Sequence, residues 1–131
     1  MTAPSFVVDT SVVVDFLMGG GERLGRLVEQ ARPVSVPVVV LAELLAGARR
    51  SNRVAERVAQ VENFVDRNTV LSCDPDTASY YADISNELRA RGKPIPENDM
   101  WIASIALQHG LPLAARDKHF NHVDSLLRVP C

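Results

Sequence analysis

The chain has 131 residues, of which 47% are hydrophobic and 23% charged. That suits a single globular domain, expected to span residues 1–131, and excludes a disordered or fibrous protein. Fourteen basic against sixteen acidic residues leave a formal net charge of −2, which argues against the broad basic surface that grips long duplexes by their phosphates, though a local basic patch is compatible with it.

Met1 to Ser5 carry no basic segment and no long apolar run, so no signal peptide is expected. Phe6-Val7-Val8 reads as a buried strand closed by Asp9. Thr10-Ser11 offer helix-capping hydroxyls ahead of a helix from Val12 to Met18. Gly19-Gly20-Gly21 then breaks the chain. It follows a helix and lacks a Gly-Lys-Ser/Thr sequel, so it reads as a connection and not as a phosphate loop.

Glu22 to Gln30 suggests a second helix with Leu24, Leu27 and Val28 on one face. Pro33 to Pro37 is a strand bounded by prolines, followed by helices over about Val38–Arg50 and Val54–Val65 and a strand over Asn68–Leu71. Pro33 to Ala42 is the longest uncharged stretch, far short of the roughly 20 residues of a membrane span, so a cytoplasmic protein without membrane contact is expected. Cys73 and Cys131 have no motif spacing and read as two reduced thiols.

Asp74-Pro75 supplies a cap and a helix-starting proline, and Ala78, Tyr81, Ala82, Ser85 and Leu88 form a helical stripe. After the loop Gly92–Pro96, a helix runs from Asn98 to His109, stopped by Gly110 and Pro112. Leu113-Ala114-Ala115 reads as a strand ending at Arg116-Asp117, and Leu126–Val129 as a final edge strand. Strands alternating with helices predict an α/β fold, a central parallel sheet of four to five strands sandwiched by α-helices. Chemistry in such folds gathers beyond the carboxyl ends of the strands.

Two acids, Asp9 and Asp117, end strands and so fall at that crevice. Glu43 is the sharpest signal, because it is the only charged residue between Pro33 and Ala48. Its helix is apolar nearly all round and is expected to be largely buried, where a lone carboxylate costs several kcal/mol unless paired or metal-bound. Pairing with Arg49 or Arg50 is the structural alternative. Asp99 lies in a first helical turn, with Ile102, Ala103 and Ala106 continuing its face inward; an acid there also simply complements the helix dipole. Gathered together, these four carboxylates repel one another and raise each other's proton affinity. A hard divalent cation, Mg²⁺ or Mn²⁺, relieves that conflict, activates water and steadies a phosphodiester under attack. No histidine base is required. His109, His119 and His122 show neither catalytic nor zinc spacing, and the last two are assigned to a solvated loop. Asp15 reads as helix surface and Trp101 as packing within the helix layer.

At these residues the chain resembles a known family. Val7-Val8-Asp9-Thr10-Ser11, Glu43 within Val-Val-Leu-Ala-Glu-Leu, Asn98-Asp99-Met100-Trp101-Ile102-Ala103 and Ala115-Arg116-Asp117-Lys118-His119-Phe120 are similar, in order and spacing, to the four acidic motifs of PIN domains, most of all those of VapC-type toxins. The resemblance covers about Phe6 to Val129. It implies a Mg²⁺- or Mn²⁺-dependent endoribonuclease in which Asp9, Glu43, Asp99 and Asp117 form the catalytic and metal-binding quartet, Asp9 and Asp99 foremost. Thr10, Ser11, Asn98 and Arg116 would support them. It also implies a structured RNA substrate such as tRNA or rRNA, a homodimer and an inhibitory VapB-type antitoxin. One departure is Ala115-Arg116, where the family often carries Ser or Thr ahead of the fourth acid.

Among the basic residues, Arg49, Arg50, Arg53 and Arg57 read as ordinary surface. Arg89, Arg91, Lys93, Arg116 and Lys118 are candidates for RNA backbone contacts. Two other functions fit an acidic α/β site. A phosphohydrolase with an aspartyl nucleophile wants a second Asp two residues after Asp9, where this chain has Ser11. A non-catalytic binding module would have lost its acids first, and all four are present.

Overall fold

Phe6, Val7 and Val8 have no exposed surface, as befits β-branched and aromatic residues in a parallel strand covered on both faces. This strand, β1 (Phe6–Val8), is the middle of a five-stranded sheet in a computed structural model that describes residues 5–29 and 33–129. The element order is β1, α1 (Thr10–Leu17), α2 (Glu22–Glu29), β2 (Val34–Pro37), α3 (Val38–Arg49), α4 (Val54–Asp66), β3 (Thr69–Leu71), α5 (Pro75–Ala90), α6 (Glu97–His109), β4 (Leu113–Ala114), a 3₁₀ turn over Lys118–His122 and β5 (Arg128–Val129). Expectations for Met1–Pro4, Gln30 and Cys131 lie outside the described residues, and Cys73 is an exposed free thiol.

All pairings are parallel, in the order β3-β2-β1-β4-β5. Successive strands first step one way from β1, then the chain crosses back to place β4 on the other side. Such a reversal opens a crevice between β1 and β4 at their carboxyl ends, where α/β folds hold ligands. The register sets Val8 beside Ala114, so the chains leaving both strands emerge together. Helices α1 to α4 pack on one another and α5 packs on α6, with α3 also reaching α6, as right-handed crossovers in both directions require. Only Gly has a low-cost route through two turns. Gly110 closes α6 at φ 63°, and Gly21 turns at φ 65° where a Cβ would meet the Phe16 backbone nitrogen at 2.8 Å.

Four local readings need correction. The cap of α1 is Asp9 itself, not Thr10-Ser11, and the helix begins at Thr10. The buried stripe of α5 is Thr77, Ile84 and Leu88 with Tyr81 half-buried, while Ala78 and Ala82 face solvent. Small alanines read as apolar in the pattern, but the larger Ile84 gains more by burial. In α2, Leu24 is buried and Val28 is exposed. In α3 only Val40, Leu44 and Ala48 are buried, and Val38, Ala42 and Ala46 are exposed, so the helix is not covered all round within this chain.

The buried Thr77 is the hub of the α5 start. Asp74 Oδ1 accepts from the Thr77 backbone N–H at 3.0 Å, and the Thr77 hydroxyl accepts from Asp74 N–H at 3.0 Å. Gln108 of α6 joins them, hydrogen-bonded to the Thr77 hydroxyl and donating to Asp74 Oδ1 at 2.9 Å. The cap therefore also ties α5 to α6. Thr77→Ala is expected to lower stability by about 1–2 kcal/mol, since it removes half of a capping box and strands a Gln oxygen. An unchanged urea midpoint would show that the cap carries no weight.

Candidate active site

Asp9 follows β1 directly and is 6% exposed. Its Oδ1 accepts from Thr10 N–H at 2.7 Å and its Oδ2 from the Ser11 hydroxyl at 3.2 Å. Both oxygens are thus aimed while keeping further lone pairs free. Glu43 lies in α3, one turn and a half after β2 ends, half-buried. Among the described residues it pairs with no arginine; the Thr10 hydroxyl donates to its Oε1 at 2.9 Å. Asp99 sits in the first turn of α6, with its side chain 15% exposed. Asp117 follows β4 and caps the 3₁₀ turn, accepting from His119 N–H at 2.9 Å.

These four acids, from four distant segments, line one cleft of about 370 Å³ together with Thr10, Ser11, Val14 and Asp15. The electrostatics agree with the geometry. Burial raises the Asp9 carboxyl above its ordinary value against the pull of its Thr10 and Ser11 hydrogen bonds, and Glu43 and Asp117 add repulsion. Asp99 is pushed up to about 6, by burial first, then by Asp9 and Asp117, with His119 opposing. A pocket that costs carboxylates their charge is a pocket that favours a cation.

Asn98 is exposed and makes no hydrogen bond to an acid among the described residues. Arg116 is exposed and paired with Asp15. Arg116 and Asp15 border a second, larger pocket that also includes Val12, Leu24 and Arg26, so Asp15 is not plain helix surface. Arg91 is committed elsewhere: it reaches the His122 carbonyl at 2.7 Å, Glu87 and Asp124, and it staples α5 to the 3₁₀ turn instead of waiting for RNA. Trp101 stacks on Tyr81 with ring centroids 4.1 Å apart, as packing between α5 and α6.

His119 is the residue that sequence reasoning missed. It is solvated as expected but belongs to a 3₁₀ turn and not to a loop, and its Nδ1 lies 2.9 Å from Asp117 Oδ1 and 3.5 Å from Asp99 Oδ2. Only its spacing of two from Asp117 hinted at this, and that spacing points nowhere without the turn. Arg128 braces the segment: it donates to the Ala115 carbonyl at 2.6 Å and to Asn121 Oδ1 at 2.8 Å, over the buried Phe120 ring.

A PIN-domain family model matches residues 6–126. The chain is a PIN domain of the VapC type. This PIN domain is 33% identical to ribonuclease VapC5 of Mycobacterium tuberculosis, with 98% of this chain and 94% of that protein covered. It is 32% identical to ribonuclease VapC2 of Haemophilus influenzae, with 92% and 93% covered. Among solved structures, the DNA-bound VapBC of Salmonella typhimurium superposes at a TM-score of 0.88 and 25% identity, with 97% of the PIN domain and 98% of that chain covered. The five-stranded parallel sheet is therefore that of the VapC group. No helix among the described residues is long and apolar enough to cross a membrane.

Proposed function

We propose that this chain is a metal-dependent endoribonuclease, the toxin of a type II toxin–antitoxin pair, held silent by a VapB-type antitoxin. The observation that carries the reading is the convergence of Asp9, Glu43, Asp99 and Asp117 on one cleft at the crossover of the sheet. Oxygen-only donors at this density suit Mg²⁺ or Mn²⁺, which keep several waters and need few protein ligands. Asp9 and Asp99 would hold the ion, with Asp117 beside them and Glu43 behind. A bound divalent ion supplies an activated water and offsets charge on the attacked phosphodiester.

The chain's own groups do the positioning. Thr10 and Ser11 fix Asp9, the Thr10 hydroxyl fixes Glu43, and burial leaves both Asp9 and Asp99 wanting a cation. Arg116, at the rim, supplies a guanidinium suited to a flanking phosphate. Beside the cleft runs an apolar groove lined by Leu17, Met18, Leu44, Ala48 and Val61, which shares Val14 and Glu43 with the acid cleft. Val14 and Met18 are 42% and 59% exposed there. An antitoxin segment in this groove would end at the acids, which supports inhibition by occlusion. The exposed apolar side of α3, Val38, Ala42 and Ala46, supports a homodimer.

The function is tested by mapping RNA ends after brief expression of wild type and Asp9→Asn. Discrete new ends at a structured RNA such as tRNA or rRNA are expected with wild type alone. Identical end maps from the two, at equal protein levels, would end the ribonuclease reading.

A further inference from the structure

Among the described residues, an imidazole stands beside the oxygen-lined cleft, against two of its acids. His119 Nδ1 is 2.9 Å from Asp117 Oδ1 and 3.5 Å from Asp99 Oδ2, and donor atoms of Asp99, Asp117 and His119 all lie within 4.8 Å of one another. Around an octahedral ion with bonds of about 2.1 Å, neighbouring donors are roughly 3 Å apart and opposite ones roughly 4.2 Å. The two distances from His119 Nδ1 are near the first of these values, and the donor atoms of Asp99 and Asp117 lie within 4.8 Å of each other. The backbone that carries the imidazole is also held in place: the His119 N–H is tied to Asp117, the next residue, Phe120, is 1% exposed, and Arg128 clamps the segment at Ala115 and Asn121.

We propose that His119 is a ligand of the divalent ion, and that this nitrogen makes the site prefer Mn²⁺ to Mg²⁺. The inference rests on the metal-dependent reading of the cleft and goes beyond it by choosing the ion. Mg²⁺ takes oxygen donors almost exclusively, whereas Mn²⁺, although it too suits carboxylates, opens the transition-metal series, whose ions accept a nitrogen ligand more readily than Mg²⁺ does. A cleft of carboxylates alone would bind the two ions by charge and size. One imidazole in the set separates them.

The test uses the full chain, stripped with EDTA and reloaded with Mn²⁺ alone. Electron spin-echo modulation of the bound Mn²⁺ is expected to show ¹⁴N coupling, absent in His119→Gln. Titration of free Mn²⁺ by its paramagnetic signal, with Mg²⁺ as competitor, gives the ratio of affinities; that ratio is expected to fall about tenfold in His119→Gln and to stay put in His122→Gln. Bound Mn²⁺ without ¹⁴N coupling in wild type overturns the assignment whatever the variants do, and leaves ribonuclease activity standing. An unchanged ratio in a folded His119→Gln protein overturns it too. Failure of wild type to bind Mn²⁺ at all removes both this inference and the metal-based reading beneath it.

Discussion

Asp99→Asn is expected to abolish RNA cleavage and, at the same time, to stabilise the metal-free protein above pH 6. The loss of activity should be roughly 10²–10³-fold or more, as for other groups that steady transition-state charge. The gain in stability follows from linkage. The folded protein holds the Asp99 proton up to about pH 6, whereas an unfolded carboxyl with its ordinary value of 3.8 has lost it well before. The folded state thus carries the extra proton between those limits, and the metal-free fold loses stability as pH rises through them. Asn carries no charge, so the variant escapes that loss. The difference between variant and wild type should be on the order of 1 kcal/mol at pH 8 in an open, water-screened cleft, and should shrink towards pH 4. Urea melts of both proteins at several pH values measure it. A variant less stable than wild type at pH 8 would mean that Asp99 is held by favourable contacts and not strained by its neighbours.

Removing divalent ions should have the second-largest effect. EDTA is expected to reduce cleavage at least ~10²-fold, and added Mn²⁺ or Mg²⁺ to restore it. The same ions should raise the melting temperature, because they bind the assembled cleft and not the unfolded chain. At ten dissociation constants of free ion the gain is roughly 1.4 kcal/mol, or about 4–6 °C for a domain of this size. The rise should be larger at pH 8 than at pH 6, where protons compete for Asp99, and Asp9→Asn should remove most of it. No rise in wild type up to tens of millimolar would leave the clustered acids without their proposed partner.

Much of this site is legible in the sequence. Asp9 and Asp117 were readable because each ends an apolar strand run, and the ends of parallel strands are where a crevice opens. Glu43 was readable because nothing else in its stretch is charged. The helix boundaries fell within one or two residues where a cap or a stop codes for them, as at Asp74-Pro75 and Gly110. What failed to show was side-chain direction. The pattern could not tell that Ala78 and Ala82 face water while Thr77 is sealed by Gln108, since small alanines satisfy either face. The exposed side of α3 was likewise hidden, because an apolar residue left at the surface reads like one facing a core. His119 was overlooked for a related reason: five residues of 3₁₀ turn, worth little by any local propensity, decide whether its ring reaches Asp99.

The strand order has a consequence for when the chain becomes dangerous. Asp9 and Asp117 meet only through the pairing of β1 with β4, which joins segments nearly the whole chain apart and closes a very large loop. Such non-local pairings form late, after local helices have gained what they can. No fragment containing only the early acids holds the cleft, and neither does a collapsed intermediate with its helices in place. Cutting power therefore belongs to fully folded molecules alone, and a half-made or half-melted copy is harmless to the cell's RNA.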